Sequence, residues 1–162
     1  MLLTHLGFNV VFLNWVMGCM KNIIFAVLIN GEATYFFQSQ IGPHQGFPLS
    51  PLLFLLIMEG LNRLIKEEHS RGRLKGIKIT DRCILTHLLF VNNVLIFLNG
   101  SIGDLTSMHN TFTLFQVATR MVTNASKSTI TATRCSLHET QFALHRFPYT
   151  LQHLEDGLRY LR

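Results

Sequence analysis

The spacing of apolar and polar positions changes period several times along the chain, and each change marks an element. Residues 9 to 20 carry apolar side chains at helical spacing, which predicts a helix. "IIFAVLI" and "ATYFFQS" then flank Asn30-Gly31, a pair that takes up positive φ easily and so predicts a β-hairpin. A Gly- and Pro-rich loop opens into "SPLLFLLIMEGLNRLIKEE", with Ser50 placed to cap the free amides and Pro51 where a missing amide costs nothing. Glu59 and Arg63 form an i,i+4 pair on its sparse polar face. Because Leu52, Leu53, Leu55, Leu56, Ile57 and Met58 point in nearly every direction, this helix is expected to be buried on most sides.

A second series follows. "IKIT" reads as a strand, and "HLLFVNNVLIF" as two strands around Asn92-Asn93, a pair suited to a type I′ turn. Ser101 with Asp104 resembles a capping box, and Leu105, Met108, Phe112 and Phe115 then recur at helical spacing. "STITATR" predicts a short strand, "HETQFALHRF" a short helix, and the remainder a weakly ordered end. No repeat or Pro/Gly/Ser-rich linker divides the chain, so the expectation is one continuous unit, 1–162, of class α+β with an antiparallel sheet and packed helices.

Composition and charge narrow this further. With 162 residues, 48% of them hydrophobic, the chain can bury a core and is not a disordered polymer. Its formal charge of +5 is concentrated in the stretch from Arg63 to Arg82, which suits a polyanion but equally a solvated face diluted by Glu67, Glu68 and Asp81. Cys19, Cys83 and Cys135 are odd in number and far apart, which argues against a disulfide framework and for an intracellular setting, cytoplasm and nucleus not being distinguished. The apolar start is interrupted by His5, Asn9 and Asn14 and has no basic leader, and "IIFAVLI" is too short for a bilayer, so no membrane partner is expected.

Several blocks in order are similar to the reverse transcriptase domain of plant LINE-type (non-LTR) retrotransposons. "IGPHQGFPLSPLLF" resembles that family's R-Q-G-D-P-L-S-P-x-L-F and its following helix, and "HLLFVNN" resembles its H-L-L-F-A-D-D strand-turn-strand. "TNASKS" is similar to N-x-x-K-S after the next helix, and "LRYL" to a Y-L-G near the palm's end. The resemblance spans nearly the whole chain. It implies the palm of a right-hand polymerase with part of the fingers, truncated at both ends, and an ancestral activity of RNA-directed DNA synthesis.

That chemistry is phosphoryl transfer in which two Mg²⁺ ions are held by carboxylates. Here Asn92 and Asn93 stand where the family has its Asp pair, and an amide carbonyl lacks the charge that a hard, hydrated Mg²⁺ demands. A third family Asp lies on a strand expected to precede this chain. The expectation is therefore a degenerate, inactive site that takes no metal cofactor. By the same resemblance Gln45, Gly46, Pro48 and Ser50 match a loop near the incoming nucleotide and template, although they also suit a loop that only caps a helix. His44 and Phe47 replace the family's Arg and Asp there. Lys127 matches a lysine near the triphosphate, and Arg71, Arg73, Lys75 and Lys78 could contact a nucleic acid backbone, making RNA or an RNA/DNA hybrid the expected partner. Alternatives are a noncatalytic nucleic-acid-binding module or an unstable translated pseudogene fragment.

Overall fold

The computed structural model describes residues 2–5, 7–21, 24–38, 49–90, 93–133 and 135–152. They form a mixed α and β structure in two compact units, Met1–Ile57 and Met58–Arg162, with the division inside a helix.

The first unit opens with α1 (Leu2–His5) and α2 (Val10–Met20). Asn9 caps α2, its Oδ1 accepting from the Val11 amide at 2.9 Å, and Phe8 stacks on Phe12 with ring centroids 5.0 Å apart. Leu13 and Val16, three residues apart, are buried. The expected hairpin follows: β2 (Leu28–Ile29) pairs antiparallel with β3 (Glu32–Ala33), and β1 (Ile24–Phe25) with β4 (Phe37–Gln38). Asn30 at φ 52° and Gly31 at φ 87° supply the two left-handed residues that a tight turn of this hand requires. The register slips by one residue between the two ladders, leaving Tyr35 and Phe36 opposite Ala26 as in a bulge. At that interruption Thr34 Oγ1 accepts from the Val27 amide at 2.9 Å, taking the place of a ladder carbonyl.

Helix α3 (Ser50–Ser70) begins one position earlier than a Ser50 cap requires. The Leu49 carbonyl accepts the first helical bond, from Leu53 at 2.9 Å, so Ser50 is already helical and Pro51 takes the second position, where its missing amide is still harmless. The expectation of burial on most sides is corrected. Leu52 is 48% exposed and Leu55 56% exposed, while Leu53, Met58, Leu61 and Ile65 are buried, a single stripe at helical spacing.

In the second unit Met58, Leu61 and Ile65 are buried together with Leu74, Leu105, Met108, Phe115, Ala143 and Phe147. Two hairpins follow α3: β5 (Ile77–Thr80) with β6 (Cys83–Leu85), then β7 (His87–Phe90) with β8 (Asn93–Ile96). Helix α4 (Ile102–Thr119) is capped by Ser101, which accepts from the Asp104 amide at 3.2 Å. It ends at Arg120, held left-handed at φ 58°. A 3₁₀ turn (Ala125–Lys127) leads to β9 (Thr129–Thr131), and α5 (Leu137–Arg146) starts with a full capping box between Ser136 and Glu139. Phe147 meets His109 and Phe112 of α4 edge-on, with centroids 5.6 and 6.3 Å away.

The class is α+β, with two corrections. The described strands make five separate two-stranded ladders rather than one sheet, and β10 (Thr150–Gln152) pairs parallel with β9. Part of the supposedly weak end is thus a strand, because Leu151 and Ile130 meet in register; "LRYL" lies outside the described residues.

Candidate functional site

The β7–β8 hairpin holds the residues on which any catalytic reading depends. Its register pairs His87 with Ile96, Leu88 with Leu95, Leu89 with Val94 and Phe90 with Asn93. Asn93 is thus a paired strand residue, where a turn at Asn92-Asn93 was expected. Asn93 is the first residue of β8 and is half-buried, whereas Asn92 lies outside the described residues, as do Gln45, Gly46 and Pro48.

A polar chain fastens this hairpin to α3. Glu59 accepts from Arg63 Nε at 3.1 Å and from Asn62 Nδ2 at 2.8 Å, and Asn62 Oδ1 lies 3.0 Å from His87 Nε2. The other ring nitrogen, Nδ1, is 2.9 Å from Thr86 Oγ1. Hydrogen bonds from Asn62 and Arg63 hold the Glu59 carboxyl below its ordinary pKa. Burial, with a smaller push from the Lys66 charge, lowers that of His87. Sequence reasoning missed Asn62 and His87; the one signal was a His in an otherwise apolar strand, facing a helix with few polar positions.

Four of the described carboxylates near this hairpin in sequence or on α3 are engaged: Glu59 as above, and Asp104, Asp81 and Glu68. Asp104 is 1% exposed and accepts from the backbone amides of Lys75 (3.1 Å to each oxygen), Gly76 (3.3 Å) and Asn99 (3.3 Å). It pins the strand entry at Gly76 and the end of the hairpin to the first turn of α4, instead of returning to the Ser101 amide as a capping box would. Asp81 pairs with Lys78 at 2.6 Å. Glu68 takes Arg73 Nη2 at 2.5 Å, Arg73 Nε at 2.8 Å and Ser107 Oγ at 2.6 Å, which lowers its pKa from 4.5 to about 2, the Arg73 bonds being the main cause. Among the described residues no three His, Cys, Asp or Glu side chains gather as a metal site.

The basic stretch is partly neutralised. Arg71 pairs with Glu67 at 2.7 Å, and Arg73 and Lys78 have the partners just given. Lys75, Lys66 and Arg82 are exposed and carry no ion pair among the described residues. Lys127 is exposed too, and it closes the 3₁₀ turn two residues before β9 rather than standing at a strand start. A cleft of about 300 Å³ between α3 and α4 is lined by Leu64, Glu67, Glu68, Arg71, Asn110, Thr111 and Leu114, and of the described candidate nucleic-acid contacts Arg71 borders it. No described helix is long and apolar enough to cross a membrane.

The chain matches no protein-family model. Over 67 residues it is 37% identical to the uncharacterized mitochondrial protein AtMg01250 of Arabidopsis thaliana, a match covering 41% of this chain and 55% of that protein. The chain therefore spans about half the length of this curated relative.

Proposed function

We propose that the chain is a remnant of a LINE-type retrotransposon reverse transcriptase domain, a palm-like fragment without polymerase activity. The observation that carries this is the sequence pair Asn92-Asn93, whose second member opens strand β8 of an apolar hairpin, in a chain where "QGFPLSPLLF" precedes it and a capped helix follows. The order α3, β7–β8, α4 agrees with the order of the family's blocks. The donors at hand do not suit Mg²⁺: amides stand where carboxylates are needed, and Asp81, Asp104, Glu59 and Glu68 are taken up by cations or backbone amides.

Primer extension on an RNA template with Mg²⁺ tests the proposal. No product above a protein-free control is expected, and template-dependent product from the purified chain would overturn it.

A second reading, a noncatalytic nucleic-acid-binding module, draws support from the exposed Lys66, Lys75 and Arg82. Fluorescence anisotropy of a labelled RNA/DNA primer-template separates the two. Saturable binding that weakens with salt favours the module, since each phosphate contact releases counterions. No binding at low salt leaves the remnant reading alone.

A further inference from the structure

The dipeptide Asn-Gly occurs twice in the chain, at Asn30-Gly31 and at Asn99-Gly100. The pair is reactive because glycine sets no side chain in the way of its own amide nitrogen. That nitrogen can bond to the asparagine Cγ. The Cγ–Nδ2 bond then breaks, and Nδ2 leaves as ammonia with the proton given up by the glycine amide. Water opens the five-membered imide that results. Attack at Cγ gives Asp on the ordinary backbone, whereas attack at the main-chain carbonyl gives isoaspartate, whose chain runs through Cβ and is one carbon longer. One water is consumed and one ammonia released, with nothing oxidised or reduced.

The fold treats the two pairs differently. Asn99 is tied on both sides: its Oδ1 accepts from the Ser101 amide at 3.0 Å, and its own amide donates to the buried Asp104 at 3.3 Å. Ser101 caps α4, so ring closure at Asn99 disturbs a helix start as well as these bonds. Cys135 Sγ packs against Gly100, 2.9 Å from where a Cβ would sit. Asn30 and Gly31, by contrast, are exposed, and no side-chain bond among the described residues holds Asn30. Nothing lies within 4 Å of a Cβ position on Gly31.

The closed turn is itself a barrier. A left-handed residue carries its Cβ and the following nitrogen on opposite sides of the Cα–C bond, so Asn30 at φ 52° closes the ring only when the turn opens. This hairpin opens readily. Each of its two ladders has two paired positions, a bulge separates them, and a two-stranded hairpin is marginal by itself.

We propose that Asn30-Gly31 is a site of spontaneous deamidation, converted through the cyclic imide to Asp and isoaspartate, and that the fold spares the chemically identical pair Asn99-Gly100. Both products place a new carboxylate at the turn beside Glu32. The isoaspartate also adds a backbone carbon between Ile29 and Glu32, which pair across the turn, so the modified hairpin loses the register that Asn30-Gly31 sets.

The test is to age the full chain in mildly alkaline buffer, folded and, in parallel, unfolded in guanidinium chloride. Amide-to-acid conversion at each asparagine is followed by mass spectrometry after proteolysis, with isoaspartate separated from Asp by chromatography. The folded rate divided by the unfolded rate reads how often each turn is open. Asn30 is expected to convert in the folded chain within about tenfold of its unfolded rate, and Asn99 to be slowed by more than about a hundredfold. Asn30→Gly should remove the first signal and leave Asn99 unchanged. The same ratio at the two sites, whether both are slowed or neither, would overturn the proposal, as would faster conversion at Asn99.

Discussion

The two hairpins at residues 24–38 and 87–96 are built from similar apolar strands yet are held in different ways. In the first, a local signal decides everything: Asn30-Gly31 supplies both left-handed residues, and the register runs outward from that turn until it slips at Tyr35 and Phe36. Its apolar side chains stay largely open, Leu28 74% and Tyr35 97% exposed. In the second, the register is tied from the far end, where His87 meets Asn62 and Phe97 bonds back to Thr86. Counting inward from there pairs Phe90 with Asn93, so Asn93 belongs to the strand. A turn sequence sets register where nothing else restrains the strands; a side-chain bond to a neighbouring helix can overrule it.

The comparison is tested most severely by deleting apolar volume in each region. Leu61→Ala removes a 1% exposed side chain and should cost about 3 kcal/mol, whereas Leu28→Ala on the open hairpin should change stability by less than about 0.5 kcal/mol, both read from denaturant unfolding. Equal effects would mean that the first hairpin is covered in solution. Asp104→Ala should cost about 2 to 3 kcal/mol, because the Lys75, Gly76 and Asn99 amides lose their acceptor together. Hydrogen exchange should localise that loss to the second unit and leave residues 24–38 unchanged.

Acid sharpens the contrast further. The folded pKa of Glu68, about 2, lies below its ordinary 4.5. Its contribution is therefore complete above about pH 4.5 and declines as pH falls toward 2, where the folded state also binds the proton. Glu68→Gln should flatten stability against pH across that window while lowering it at neutral pH. The smallest effect is expected at Arg120, where Gly relieves a left-handed φ of 58° and should stabilise α4 by about 0.5 kcal/mol, measured by thermal unfolding.

Much of the local structure was legible because its causes lie within a few residues. Asn30-Gly31, the Glu59–Arg63 pair, the Ser101 cap and the helix over 138–147 each rest on contacts between near neighbours in sequence. The candidate site was legible only as residue identity: the Asn92-Asn93 pair can be read directly, but not that Asn93 belongs to the strand. Nor could sequence reveal that Asp104 is spent on three amides, since Lys75 and Gly76 lie far from it along the chain.

By itself, then, the sequence determined the kinds of element and their order, the charge, and the lack of an Asp pair at the hairpin. Only tertiary structure decided which face of α3 is buried, that β10 joins β9 in parallel, that Asn93 is a paired strand residue, and that His87 meets Asn62. The physical reason is range. Backbone preference and capping act over one turn or one hairpin, whereas burial and the direction of a hydrogen bond are set by partners that the fold brings from distant parts of the chain.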